Sequence, residues 1–409
     1  MGWNWIIHLA KYCELYVISE EEYRMQVEEW IKDTKNEENA RNLHFYWNPI
    51  GGDDEIQCDR IRRMCWNQGD WRFYKYYKEW QRKTAEMARE ICAKEKIDVL
   101  HQLNMIGFRE PGYLWKVSKE MGIPFVWGPI GGLKQFPMAY AGGGSLKMKA
   151  FLRLKNFLNV WQLKNDKRVD AAIQQASLLI SSIPDSYRAI KKYKGKESVI
   201  IPETGTFPLK NNISDADRFT KDYLTILWVG KFDFRKRLDL AIAIVALATV
   251  ANTKVLLKVF GTGNQSQTDE ARSLVQRMGV DNMVQWMGNC PNEQVTAEMR
   301  KADLFLFTSV NEDTSTVVLE AISNHLPVLC FDTCGMSAVI TDEVGIKIPL
   351  STPDQSVKDF AEKIEYLYSH REVLAQMSEN CKQRAEELSW ERKAEQMVEV
   401  YEKVIKETR

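Results

Sequence analysis

The sequence predicts an α/β protein of two Rossmann-like βα domains facing each other across a cleft, and three observations predict it. With 409 residues, the chain is longer than one hydrophobic core usually organises, so two domains are expected. Short runs rich in β-branched and aromatic residues alternate with helix-period patterns from end to end, as parallel sheets covered by helices require. A composition 44% apolar and 27% charged gives such sheets material to bury and excludes a disordered or fibrous chain.

Taken in order, Gly2–Tyr12 reads as a helix leading into a strand at Glu14–Ser19. Further strands of the first half are expected at Asn42–Trp47, Asp98–Leu103, Pro124–Gly128, Leu178–Ile183 and Ser198–Pro202. Residues 203–222 lack periodicity and collect Gly, Pro, Asn, Asp and Ser, the composition of a linker, which divides the chain near residue 205. The second half places strands at Thr225–Gly230, Val255–Gly261, Met283–Gly288, Leu304–Ser309, Pro327–Asp332 and Gly345–Leu350. The expected domains are therefore 1–205 and 206–389, followed by a helix over 390–409. That helix carries apolar Met397, Val398, Tyr401, Val404 and Ile405, so it needs a surface to cover, and a path back towards the first domain would supply one.

The net charge is zero, with 56 basic and 56 acidic residues, but the distribution is uneven. Residues 1–59 carry −8, residues 60–200 carry +15 and the remainder carries −7. A basic middle attracts phosphates, whether of a nucleotide, an anionic lipid or a nucleic acid, or else forms solvated helix faces. The most apolar run, Leu240–Ala251, is shorter than the ~20 residues needed to span a bilayer, and the expected location is the cytoplasm. Eight cysteines show no C-x-x-C pair, and Cys92 and Cys330 read as buried thiols in apolar strands. No metal site is expected, and Asp215-Ala-Asp217 falls in the linker.

The densest chemistry follows the strand ending at Ser309. Glu312 lies in the loop at its carboxyl end, and Glu320 lies just beyond the first turn of a helix that Thr314 or Ser315 can cap. Ligands of open parallel sheets bind at this edge, and ionised carboxylates there accept from sugar-like hydroxyls. The strand Pro327–Asp332 runs into the small-residue loop around Gly335, whose backbone N–H groups can face an anion. Upstream, Lys231, Arg235, Lys236 and Arg237 put four cations in seven residues after Gly230. A diphosphate would bridge these loops.

Order and spacing resemble the retaining glycosyltransferases of the GT-B fold, in the large sequence family numbered four, of the group 1 type. Gly230-Lys231-x4-Lys236-Arg237 resembles the family's Gly-Arg-x4-Lys-Gly element, and Phe260-Gly261-Thr262-Gly263 its Phe-x-Gly-x-Gly turn. Val284-Gln285-Trp286-Met287-Gly288, the glutamates Glu312 and Glu320, the Pro327-Val328…Gly335 element and Ser389-Trp390 match in turn. The resemblance implies that Lys236 neutralises the donor diphosphate, Glu312 holds hydroxyls of the transferred sugar, and Glu320 holds the ribose. It also implies donor contacts from Lys231, Gly261, Thr314, Ser315 and Gly335, with the base received near Trp286 and Gly288. Two positions differ from the pattern: Lys231 stands for arginine and loses its bidentate grip, and Asp313-Thr314-Ser315 replaces Gly-x-Gly.

In the first half, His101 occupies the place of a strand-end histidine that the family sets near the anomeric centre, and the resemblance gives it a catalytic role beside Lys236 and Glu312. Asn104, Arg109, Gly131 and Gly132 fall in two loops on the acceptor side, in a run resembling an envelope-polysaccharide branch of the family. Family members begin with a strand and a Gly-rich loop ahead of the first helix, so the first strand of the N-terminal domain is expected to be missing here. Residues 144–168 hold seven cations against Asp166, with Phe151, Leu154, Leu158 and Trp161 at helical spacing. This segment either lies on an anionic membrane, at its inner face, or docks on the sheet.

The function implied is a retaining, metal-independent, hexosyltransferase-like enzyme of polysaccharide or envelope synthesis. It would use a nucleotide diphosphate sugar, no further cofactor, and a glycan or lipid-linked acceptor, without nucleic acid. Two alternatives stay open: a nucleotide-sugar epimerase of the same fold, and a degenerate, non-catalytic sugar-nucleotide binder.

Overall fold

The computed structural model describes residues 1–66, 70–103, 105–142, 146–209 and 218–408. Twelve strands form among them, each overlapping one of the predicted runs. In the first half they are β1 (Leu15–Ser19), β2 (Leu43–Trp47), β3 (Leu100–Gln102), β4 (Phe125–Ile130), β5 (Leu178–Ser181) and β6 (Val199–Ile200). In the second half they are β7 (Leu224–Val229), β8 (Val255–Phe260), β9 (Val284–Gly288), β10 (Leu304–Phe307), β11 (Val328–Phe331) and β12 (Gly345–Ile348). The helices that matter for the site are α1 (Gly2–Leu9), α2 (Phe73–Lys94), α3 (Leu146–Asn165), α4 (Leu238–Val250), α5 (Thr316–Ser323) and α6 (Trp390–Thr408).

The second half is one six-stranded parallel sheet in the order β12-β11-β10-β7-β8-β9. Period-two alternation sorts its side chains between two faces. Leu224, Ile226 and Trp228 of β7 and Leu304 and Leu306 of β10 pack with α4 and with Phe360 and Ile364. Leu227, Phe305 and Phe307 face Val318, Leu319 and Ile322 of α5 on the other side. Burying each large apolar side chain contributes ~1.5–3 kcal/mol, so both faces are firmly held. The order reverses between β7 and β10, which opens a crevice at their carboxyl ends.

The first half is parallel too, but in two sheets: β1-β2 and β3-β4-β5-β6. The edge of β1 away from β2 and the edge of β3 away from β4 carry no strand among the described residues. Helix α2 contacts β1 and sends Ala85 and Ala88 into the core formed by Phe125, Trp127 and Ile130. Cys92, read as part of a strand, lies in α2, whose buried face runs through Tyr77, Gln81, Ala85, Ala88 and Ile91 at helical spacing. Strand β4 runs two residues past its expected end at Gly128: pairing with β5 resumes at Ile130 after a register shift beyond Trp127.

The chain passes between the halves twice, side by side. The Thr206 N–H donates to the Leu388 carbonyl at 3.0 Å, and the Trp390 N–H returns to the Thr206 carbonyl at 3.3 Å. Helix α6 then packs on α1 and on Val126, Ile180 and Ile201 of the first half. Trp5 meets Trp390 edge-on at 5.5 Å, and its indole N–H donates to the Glu203 carbonyl at 3.1 Å.

Candidate functional site

The crevice side chains come from the loops after β7, β10 and β11. In the first of these, Arg235 is held by Asp233 at 2.6 Å and Arg237 by Asp239 at 2.7 Å. The intervening Lys236 instead points its ammonium at Glu312 Oε1, 2.8 Å away, above the ring of Phe307. Ser309 Oγ donates to the same carboxylate oxygen at 2.9 Å. The second oxygen, Oε2, takes no bond from the described residues, which leaves an acceptor facing the crevice. Lys231 is exposed at the start of the loop.

The loop after β11 closes against the one after β10. The Gly335 N–H donates to the Asp313 carbonyl at 3.3 Å. A Cβ at Gly335 would fall 2.6 Å from Thr314 Oγ1, so only glycine allows the two loops to touch. The helix that follows is four residues, Met336–Val339, and the Gly335 N–H is already engaged. The Gly335 N–H itself is thus used in holding the loops together. Ser315 is the N-cap of α5 but its hydroxyl makes no capping bond, and Thr314 Oγ1 is buried without a partner.

Farther along the sheet, Gly261 sits at φ +117°, and a Cβ there would lie 1.9 Å from the Gly230 carbonyl oxygen. That close approach brings the ends of β7 and β8 together. The Gly261 N–H also donates to the Gly288 carbonyl at 2.7 Å, so the backbone at this end of β9 is tied to β8. Trp286 lies 6.0 Å from Phe232 and under the Arg272 guanidinium. Glu320, on α5, is partly buried, and burial raises its carboxyl above the usual range against a bond from Asn292.

The first half reaches this site through Gly131 and Gly132. The Gly132 N–H donates to Asp313 Oδ1 at 3.5 Å, and the Lys134 ammonium lies 3.3 Å from the same carboxylate. Arg109 bonds Asn159 and Gln162 of α3 above the ring of Phe108. Asn104 and the Asp215–Asp217 pair lie outside the described residues.

His101 is not placed as expected. Its Nε2 meets the Gly128 carbonyl at 2.8 Å and its Nδ1 meets the Tyr401 hydroxyl at 2.6 Å. Since the carbonyl only accepts, Nε2 carries the proton and Nδ1 accepts from the tyrosine. Burial lowers its pKa to about 4, so the ring is neutral and both nitrogens serve to fasten α6 to the first half. Three residues escaped sequence reasoning. Lys134 lies two residues after the glycine pair and could have been found there, whereas Glu203 and Asn159 had no such signal.

Residues 210–384 match the family model described as glycosyl transferases group 1. The gpi3 subunit of phosphatidylinositol N-acetylglucosaminyltransferase from Schizosaccharomyces pombe is 26% identical over 183 residues, 38% of this chain and 40% of that protein. A D-inositol 3-phosphate glycosyltransferase from Rhodococcus erythropolis is 22% identical over 245 residues, 56% of this chain and 54% of that protein. The matches thus span less than two thirds of the length of these curated relatives. Among solved structures, HepE of Anabaena in complex with UDP superposes with a TM-score of 0.60 at 15% identity, covering 98% of this chain and 96% of that one. Two parallel-sheet halves with the crevice between them define a GT-B protein. Over residues 210–384 its second half is similar to the group 1 glycosyl transferases.

Proposed function

We propose that this protein transfers a sugar from a nucleoside diphosphate sugar to a glycan or lipid-linked acceptor, with retention and without a metal ion. The observation that carries this reading is the Lys236–Glu312–Ser309 cluster at the crevice, in the half that matches the family model. Glu312 Oε2 would take a hydroxyl of the transferred sugar, while the Lys236 ammonium would turn towards the diphosphate and neutralise the charge it gains as the glycosidic bond breaks. Glu320 would hold the ribose. In a same-face displacement, the departing phosphate oxygen accepts the proton of the incoming hydroxyl, and the new bond forms on the face the diphosphate leaves.

No helix among the described residues is long and apolar enough to cross a membrane. Attachment at the inner face of the cytoplasmic membrane is part of the proposal. It is supported by α3, which buries Leu152, Asn159 and Leu163 yet leaves Phe151 at 61%, Phe157 at 63% and Trp161 at 52% exposure among its lysines. Cations near an anionic leaflet contribute ~1 kcal/mol each.

The experiment is nucleotide release from UDP, GDP and ADP sugars in the presence of a chelator, followed by NMR of the product's anomeric centre. Release with a retained configuration supports the reading. Sugar interconversion points to an epimerase, binding without turnover to a non-catalytic binder, and a requirement for metal overturns the metal-independent step.

A further inference from the structure

Helix α3 and the Gly131–Phe136 loop form one polar network. The Asn156 amide exchanges two bonds with the Phe136 backbone, at 2.8 and 2.9 Å. The Asn159 amide donates to the carbonyls of Lys134 at 3.3 Å and Gly132 at 3.5 Å, and its oxygen accepts from Arg109. Lys155, Asn159 and Gln162 are spaced i, i+4 and i+7, so they share one face of the helix. Arg109, bonded to the last two, therefore sits over the same face as Lys155.

Arg109 and Lys134 belong to this network and the exposed Lys155 lies beside it, which sets three cations against one carboxylate. Asp313 pairs with Lys134, whereas Arg109 and Lys155 have no carboxylate partner among the described residues. Burial pushes the Lys155 ammonium below its usual range, and Arg109, Arg235 and Lys134 push it further, as expected where cations converge without enough negative charge. Such an excess beside an open cleft is stabilised by a bound anion. Asp313, a side chain of the opposite half, already occupies one corner of the cradle between the Gly132 N–H and Lys134.

We infer that Arg109, Lys134 and Lys155 form a phosphate-binding site on the acceptor side, and that the acceptor is a phosphate-bearing compound. The inference rests on the transferase reading for the word acceptor, but the site itself does not. Lysine and arginine around a backbone N–H suit phosphate oxygens. A lipid phosphate would leave its chains beside Phe151, one turn before Lys155 on the same face and 61% exposed, and a soluble phosphate ester would not need it.

The test is calorimetric titration of the full chain with glycerol 1-phosphate at low ionic strength, with and without UDP. Saturable binding is expected in both conditions, weakened about tenfold or more in Lys155→Ala and in Arg109→Gln, restored in Lys155→Arg, and strengthened in Asp313→Asn. Thermal midpoints of the variants report their folding. Binding that is absent, indifferent to both substitutions, or abolished by UDP would overturn the site, the last by placing the phosphate in the donor half. Phosphatidylcholine vesicles with and without phosphatidic acid separate the sources: much tighter binding to phosphatidic acid identifies a lipid, equal affinity a soluble ester. Phosphate binding without nucleotide release from any sugar would remove the transferase reading and leave the site. Nucleotide release without phosphate binding would remove the site alone.

Discussion

Glu203, in the segment that links the two halves, accepts a hydrogen bond at Oε1 from the Thr314 N–H at 2.7 Å, in the loop that carries Glu312. The carboxylate is 2% exposed, and its Oε2 has no partner. Lys393 is equally buried, with its ammonium 3.3 Å from the Pro202 carbonyl. The passage between halves is thereby fastened to the donor loop by a buried carboxylate with a buried amine close by.

The first prediction follows from that pair. Burial lowers Lys393 to about 7 from 10.5, so between those values the unfolded chain binds a proton that the folded one does not. Its contribution to stability is therefore present above the unfolded value and lost as pH falls through the folded one, with a slope of at most about 1.4 kcal/mol per pH unit. Denaturant unfolding from pH 7 to 10 should show this rise, flattened in Lys393→Met. Glu203→Ala, which leaves the Thr314 N–H unpaired, should cost about 1–3 kcal/mol and raise the donor KM. An unchanged KM would uncouple this passage from the loop.

His101 gives the second prediction. Its pKa of about 4 lies below the ordinary value of 6.5, so its contribution to stability is full above that ordinary value and disappears as pH falls through 4. Tyr401→Phe removes one of the two bonds to the ring and should cost about 1 kcal/mol. Nucleotide release at neutral pH should survive this change; a loss of turnover larger than the loss of stability would return His101 to the chemistry.

Lys236 is distinguished from its neighbours by its partner, and this yields the third prediction. Lys236→Ala should slow nucleotide release by about tenfold to a hundredfold, the worth of a charged hydrogen bond. Arg235→Ala should do less, because that guanidinium is committed to Asp233. A larger loss in Arg235→Ala would mean that the register of the cationic loop is misassigned.

The fourth prediction concerns the membrane. Phe157→Glu and Trp161→Glu, both at well-exposed positions, should reduce sedimentation with anionic vesicles without lowering the thermal midpoint. Added salt should weaken wild-type binding through the lysines. Equal sedimentation of the variants and the wild type would dismiss α3 as the contact.

Much of this was legible in the chain. Strands β4, β7, β10 and β11 announced themselves because parallel strands buried on both faces are continuous apolar runs, and Glu312 and Lys236 stood out because strand-end loops carry ligands. What the sequence withheld depends on side-chain direction. His101 sits at a strand end, yet its ring turns to a helix 300 positions later in the chain. Asp313 read as a departure from a glycine pattern, and its contact with Lys134 exists only because two distant loops meet. Glu203 lay in a stretch whose composition spelled linker, and composition carries no trace of a buried carboxylate.

The central claim is that Glu312 and Lys236 hold a nucleoside diphosphate sugar for transfer, and single-turnover nucleotide release in wild type and Glu312→Gln tests it most directly. The wild type should release nucleotide from at least one sugar donor, and Glu312→Gln should lose about tenfold or more of that rate, from one charged hydrogen bond. Glu320→Gln, measured beside it, should weaken donor binding more than the rate. Equal rates in the wild type and Glu312→Gln, or no release from any UDP, GDP or ADP sugar, would contradict the account.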